Sequence, residues 1–275
     1  MIDFRMPIRP QNSNKGTFGK VLNVSGSQNY IGAAYLSSYS VLKIGAGYVA
    51  LASCEKVRNS ISQILPEAVY ISRETALQNI QNYNAMLIGC GLGTDEKSQN
   101  EFTKFIELAS KQNSISVVVD ADGLNILSQN SSIVLPSNTI ITPHPKEAAR
   151  LLGVETEDIL KDTVQTAKKL AEKYNCIAVL KTHRTVVCNT SGDVYINKYG
   201  NSALAKAGAG DVLAGIITGL TAQKMSLYDA AKLGVYLHSR SGEIASEDLT
   251  EYCVLAKDIL NYLPSAVKEL LINNV

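Results

Sequence analysis

The sequence has no tryptophan and only four phenylalanines, so 13 tyrosines carry most of its aromatic surface and aliphatic side chains must build the core. Charge is sparse as well. Asp, Glu, Lys and Arg make up 19% of the 275 residues, against roughly 25% in ordinary soluble domains. With 26 Lys and Arg against 25 Asp and Glu, the net charge is +1. That balance excludes the broad cationic face that a general nucleic-acid binder or an electrostatic membrane anchor needs. No window reaches the roughly 18 apolar residues of a membrane span. The longest apolar stretch, Val212–Leu220, is broken by Gly215, Thr218 and Gly219. Met1–Pro10 holds Arg5 and Arg9 but no apolar core behind them, so it does not read as a signal peptide. The five cysteines show no CxxC spacing and the three histidines are scattered, which excludes a zinc-ligand cluster. Cys90, Cys176 and Cys188 sit in or beside strand-like runs and read as buried thiols. These absences predict a cytoplasmic protein with no nucleic-acid or membrane partner.

What is present is alternation. Apolar, β-branched runs recur at Val21–Val24, Tyr48–Ala52, Met86–Ile88, Ile115–Val119, Thr139–Ile141, Ile177–Leu180, Thr185–Val187 and Val194–Ile196. Segments with helical period lie between most of them, notably 32–44, 101–109 and 163–174. Strands apolar on both faces and separated by helices predict an α/β fold whose mostly parallel sheet is covered on both sides. The last two runs flank Asn189-Thr190-Ser191-Gly192-Asp193, a hairpin loop, so one edge of the sheet should be antiparallel. From about Asp211 the chain reads as helical through 212–223, 227–245 and 255–270. With no linker, repeat or low-complexity tract, a single domain over residues 1–275 is expected.

Ligands of such sheets bind beyond the carboxyl ends of the strands, and several strand ends carry unusual residues. Ala207-Gly208-Ala209-Gly210-Asp211 opens the apolar helix that starts near Val212. Small residues there admit a ligand to the free amides of the first turn, an anion site with the helix dipole behind it. Asp211 is either an N-cap or a base taking a proton from a hydroxyl that attacks phosphorus. Lys206 and the polar loop Asn197–Ser202 favour the second reading. Gly89-Cys90-Gly91-Leu92-Gly93 is not a dinucleotide fingerprint and reads more readily as a tight strand-to-helix turn than as a ligand contact, and Gly16-Thr17-Phe18-Gly19-Lys20 has the wrong spacing for a P-loop. Asp120-Ala121-Asp122-Gly123-Leu124-Asn125 puts two carboxylates at one strand end; one can be an N-cap, and holding both close requires compensation. In Thr142-Pro143-His144-Pro145-Lys146-Glu147 two prolines restrict His144, and Thr142 with Glu147 could serve only as end caps. Lys181-Thr182-His183-Arg184-Thr185 is a basic turn between strands, either a solvated hairpin tip or a nucleotide contact. His238, beside Leu233–Leu237, reads as a packed or surface-facing helix residue.

Taken together and in order, these segments resemble the NAD(P)H-hydrate dehydratases, a branch of the ribokinase-like superfamily. The residues that carry the match are Lys15–Gly19, Val21–Ser27, Tyr30–Ala34, Gly45–Gly47, Gly89–Gly93, Asp120–Asn125, Thr142–Glu147, Ala149–Gly153, Lys181–Thr185 and Gly208–Gly219. They run from about Lys15 to about Ala245. The resemblance implies a ribokinase-like fold and a repair reaction. The (S)-hydrate of NADH or NADPH (NADHX, NADPHX) would be phosphorylated on its C6 hydroxyl by ADP, or less readily ATP, and would then lose phosphate. It implies Asp211 as the catalytic base, with the Gly208, Ala209 and Gly210 amides as the anion hole. Ala33, Gly91, His144 and Asp211 would contact the hydrated dinucleotide. Lys181, Thr182, His183, Arg184, Thr185 and Gly210 would contact the adenine nucleotide, with Lys181, His183 and Arg184 supplying a local positive field. Asp120, Asp122, Asn125 and Glu147 would support the site, Glu147 holding Mg2+ through water. Thr182 departs from the family pattern, which often has glycine there.

The resemblance also implies a homotetramer. A fused epimerase domain is not expected, since about fourteen residues precede the match, so a separate epimerase would be the functional partner. Two other functions compete: an ordinary ribokinase-like kinase of a thiazole or pyrimidine alcohol, and a catalytically silent nucleotide-binding regulator. The Asp-Ala-Asp and Pro-His-Pro segments oppose the first, and the presence of Asp211 opposes the second.

Overall fold

The computed structural model describes residues 4–112 and 114–273. Its strands are β1 (Lys20–Val24), β2 (Tyr48–Ala52), β3 (Val69–Ile71), β4 (Ala85–Ile88), β5 (Ser116–Val119), β6 (Thr139–Ile141), β7 (Ile177–Leu180), β8 (Val186–Cys188) and β9 (Val194–Ile196). They form one sheet in the order β3-β2-β1-β4-β5-β6-β7-β8-β9. β1 to β7 pair in parallel, and β8 and β9 close the edge antiparallel, as the hairpin signal required. Of the strands, β3 has no counterpart among the sequence runs. Three residues at a sheet edge, all partly or fully exposed, leave no alternation to detect. β8 starts one residue later than expected because the Thr185 hydroxyl donates to Thr182 O and stays in the turn.

The strand order reverses between β1 and β4, which makes the gap beyond their carboxyl ends the switch point where α/β sheets place ligands. Register brings the other ends level with it. Val24 pairs with Ile88, Ile88 with Val119, and Val119 with Ile141. The residues that follow each strand therefore gather along one rim.

Alternation decides which helices cover which face. Met86 and Ile88 point into a core with α4 (Glu96–Ser110), α5 (Asp122–Gln129), α6 (Pro145–Leu152) and α8 (Thr163–Tyr174). Leu87 points the other way, into a core with α9 (Ala209–Ala222), α10 (Leu227–Cys253) and α11 (Ala256–Asn273). On that same side α1 (Ile31–Lys43) and α2 (Glu55–Ile61) cover β1 and β2. Two short helices, α3 (Arg73–Gln78) and α7 (Thr156–Lys161), complete the set.

α9 is the longest apolar run of the sequence, and 12 of its 14 residues are buried. It is greasy on nearly every side because sheet and helices surround it. No helix among the described residues is long and apolar enough to cross a membrane. Glycines let α1 come close: a Cβ on Gly215 would stand 2.4 Å from Ser37 O, and one on Gly219 2.3 Å from Ile44 Cγ2.

Candidate active site

The two carboxylates of the Asp-Ala-Asp segment have separate destinations. Asp120, at the end of β5, is 1% exposed. Its Oδ1 lies 2.6 Å from Lys181 Nζ and accepts the Thr142 hydroxyl at 2.7 Å. Asp122 Oδ2 accepts the Gly93 amide at 2.9 Å, tying α5 to the glycine loop after β4. Asn125 donates to Asp122 Oδ1 and accepts from Arg150. Neither aspartate caps α5. The N-cap position is Ala121, at φ 50°, a left-handed turn that sends the flanking side chains to these different partners. The compensation that the sequence demanded thus comes from one lysine, one hydroxyl, one backbone amide and the Asn125 side-chain amide.

Capping after β6 also differs from expectation. The N-cap of α6 is His144, whose Nδ1 accepts from the Lys146 and Glu147 amides at 3.1 and 3.3 Å. Glu147 Oε2 accepts the His144 amide at 2.8 Å, completing a capping box with Pro145 in the first turn. Thr142 takes no part, being committed to Asp120. Burial lowers the His144 pKa, with the Lys181 charge adding to the effect. Glu147 is 5% exposed and stands 4.0 Å from Lys181 Nζ. Burial raises its carboxyl above the usual carboxylate range, against the opposing pull of Lys181.

Lys181 turns inward from the end of β7. Burial works against its charge, but Asp120 and then Glu147 hold the ammonium above its ordinary pKa. Its charge is therefore matched by carboxylates and adds little to the positive field expected of the turn. The charge left exposed in the turn is that of Arg184. Arg184 itself donates to Lys198 O, and the Thr182 hydroxyl to Arg184 O. These bonds brace the turn against the β9 side of the sheet.

The start of α9 closes the group. Gly208 takes φ 90° and Ala209 N donates to Lys206 O, so one of the three amides expected in the anion hole is already occupied. The first bond within the helix runs from Val212 N to Gly208 O, which leaves the Gly210 and Asp211 amides at the open end. A Cβ on Gly210 would lie 3.4 Å from Lys181 Nζ and 3.8 Å from Asp120 Oδ2. Asp211 is pushed up to about 6 by burial first and by Asp120 second. The buried Cys90 thiol sits 3.8 Å from Asp120 Oδ2; burial, then Asp211, keeps it protonated. On the neighbouring side, Gly91 takes φ 60°, and a Cβ there would meet Tyr30 Cβ at 2.5 Å and Ala33 Cβ at 2.9 Å. Gly91 and Ala33 thus adjoin each other as part of one wall.

An open cavity of about 760 Å³ leads away from this cluster. His144, Lys181, Thr182, His183, Thr185 and Gly210 line it, together with a wall from Tyr199 to Lys206 and His238 from α10. The polar loop 197–202 signalled part of that wall in the sequence. His238 gave no such signal: it is buried, 2.9 Å from Ala209 O, and adjoins the cavity instead of facing solvent.

Among the described residues, Cys90, Asp120 and Asp211 are the one group of three with ligand atoms within 4.8 Å of one another. A thiol is a poor ligand for a hard cation, and Asp120 is already held by Lys181 and Thr142. Glu147 fits better, because its buried carboxylate is only partly matched by a lysine 4.0 Å away. A hydrated magnesium ion keeps several waters and is bound by one or two carboxylates plus phosphate, which suits a carboxylate at this rim.

The profile of the NAD(P)H-hydrate dehydratase family matches residues 21–265. The bifunctional NAD(P)H-hydrate repair enzyme Nnr of Moorella thermoacetica is 34% identical over 97% of this chain, which spans about half (52%) of that relative's length. The ADP-dependent (S)-NAD(P)H-hydrate dehydratase of Neisseria meningitidis serogroup B is 34% identical, with 87% of this chain and 81% of the relative covered. A crystal structure of the Bacillus subtilis ADP/ATP-dependent NAD(P)H-hydrate dehydratase, co-crystallised with ATP/Mg2+, superposes with a TM-score of 0.85 at 30% identity, covering 96% of this chain and 94% of that one. Solved neighbours share the ribokinase-like architecture.

Proposed function

Because the chain belongs to the NAD(P)H-hydrate dehydratase family, we propose that it returns the (S)-hydrate of NADH or NADPH to the reduced dinucleotide, with ADP or ATP as phosphoryl donor. The observation that carries this reading is Asp211. It is a half-buried carboxylate at a helix start, next to open backbone amides and a cavity of nucleotide size. A carboxyl pushed up to about 6 is still ionised near neutrality, yet more basic than an exposed aspartate.

Asp211 takes the proton of the C6 hydroxyl, whose oxygen attacks the terminal phosphorus of the donor. The P–O bond to the rest of the nucleotide breaks, releasing AMP from ADP. The Gly210 amide, with the helix dipole behind it, receives the charge on the transferring group. Loss of phosphate from C6 and of a proton from C5 then restores the ring double bond. Phosphorylation matters because hydroxide is a poor leaving group and phosphate a good one. Ala33, Gly91 and His144 hold the dinucleotide, and residues 181–185 hold the adenine nucleotide. Magnesium, held through water by Glu147, would neutralise phosphate charge when bound. Asp120, Asp122 and Asn125 set the positions of these groups.

ADP is the preferred donor in this reading, which the names of the relatives support. Residues 1–275 act as one domain in a cytoplasmic homotetramer, and a separate epimerase supplies the (S) form. The deciding experiment incubates the protein with hydrated NADH and either ADP or ATP. Recovery of reduced-nicotinamide absorbance is expected, and failure with both donors removes the assignment.

A further inference from the structure

His238 sits on α10 against the start of α9, with its Nε2 2.9 Å from Ala209 O. A carbonyl oxygen only accepts, so Nε2 must carry a proton. Burial keeps the ring neutral, lowering its pKa to about 4. A neutral imidazole protonated on Nε2 has a bare lone pair on Nδ1. Among the described residues no donor reaches Nδ1. The ring lines the cavity, and Nδ1 is not sealed away among the buried atoms that lack a partner. The chain thus presents one fixed acceptor to whatever fills this space.

Contacts place His238 between the start of α9 and the wall that begins at Tyr199. At one end Gly210 adjoins Lys181, with 3.4 Å from a Cβ position to Nζ. At the other, Gly200 approaches Ser239 and Leu204 packs on Gly242, so the wall from Tyr199 to Leu204 leans on the next turn of α10. His238 touches Ala209 on the first side and precedes Ser239 on the second. A nucleotide with its terminal phosphates at Gly210 and its base against Leu204 and Val235 would set its ribose opposite His238.

We propose that His238 is a specificity-determining residue for the phosphoryl donor, its Nδ1 accepting a hydrogen bond from a ribose hydroxyl while its Nε2 holds the carbonyl at the start of α9. This inference rests on the reading of the cavity as the donor site. His238 therefore favours nucleotides that carry that ribose hydroxyl over analogues that lack it, whatever the length of the phosphate chain.

The test is binding, independent of turnover: affinities of ADP, 2′-deoxy-ADP and 3′-deoxy-ADP for the unaltered protein and for His238→Gln. Glutamine can keep an N–H near the Nε2 position, but it offers no acceptor at Nδ1. One deoxy analogue should bind the unaltered protein roughly three- to tenfold more weakly than ADP. His238→Gln should lose a similar factor for ADP and no longer tell the two apart. Equal binding of all three nucleotides by the unaltered protein overturns the inference, as does discrimination that survives in His238→Gln. A second readout needs no variant. The ¹⁵N resonance of His238 Nδ1, one of only three histidines, should shift on adding ADP but not on adding the discriminated analogue. An unmoved resonance overturns the inference alone. Absence of any ADP binding overturns the donor-site reading itself, and the inference with it.

Discussion

The two ends of the site are built on opposite principles. At the strand-end cluster, Asp120, Glu147, Lys181 and Asp211 come from four separate elements and are charged or chargeable groups held largely out of water. Burial and the charges of neighbouring groups shift the protonation of Glu147, Lys181 and Asp211. Along the cavity beyond Lys181, the lining includes groups that are neutral or exposed: backbone amides, Thr182, the Tyr199–Lys206 wall and the uncharged ring of His238. On the proposed reading, the buried end fixes where protons sit, and the open end fixes which molecule is held. Damage to the first should therefore appear in turnover, pH dependence and stability, and damage to the second in affinity.

The largest expected effect separates the ends outright. Asp211→Asn should lower turnover of hydrated NADH by roughly 10²–10⁴-fold while ADP affinity, read by calorimetry, changes little. Equal losses in both would mean the two ends are not distinct. Next comes Lys181→Met, which leaves Asp120 buried and unpaired. Denaturant unfolding should show a loss of about 3–5 kcal/mol, and adding Asp120→Asn should recover much of it. A third outcome concerns pH. Asp211 must be ionised to accept a proton, and its pKa lies at about 6. The rate should therefore fall as pH drops through about 6, where an unperturbed aspartate would hold activity down to roughly pH 4. Asp120→Asn removes the neighbouring negative charge and should move that limb toward lower pH. The smallest effect belongs to the open end. Arg184→Ala frees the turn from Lys198 O and should weaken ADP two- to threefold, with stability changed by about 0.5 kcal/mol or less because Arg184 is exposed.

The same division explains what could be read without the structure. Strands apolar on both faces, the hairpin edge and the glycine-rich helix start are local patterns, and each stands where it was expected. β3 was too short and too exposed to leave a period. Lys181 looked like part of a basic turn because its neighbours in the chain are basic. Its true partner, Asp120, lies 61 residues away and is brought to it by sheet register. His238 meets Ala209 across 29 residues, a contact set by how α10 crosses the start of α9. His144 is the reverse case: its capping box with Glu147 spans three residues, yet Thr142 offered the more familiar cap, and only the Asp120 contact removes that alternative.

The glycine seam between α1 and α9 ties chemistry to folding. The helix that presents Asp211 is enclosed by sheet and helices, so its first turn is anchored to a segment that cannot loosen alone. Its opening belongs to the most protected class of fluctuations, those that approach global unfolding. A population that has lost the base but kept its fold is therefore not separately accessible on heating. If Asp211 is the base, inactivation and melting should coincide on heating.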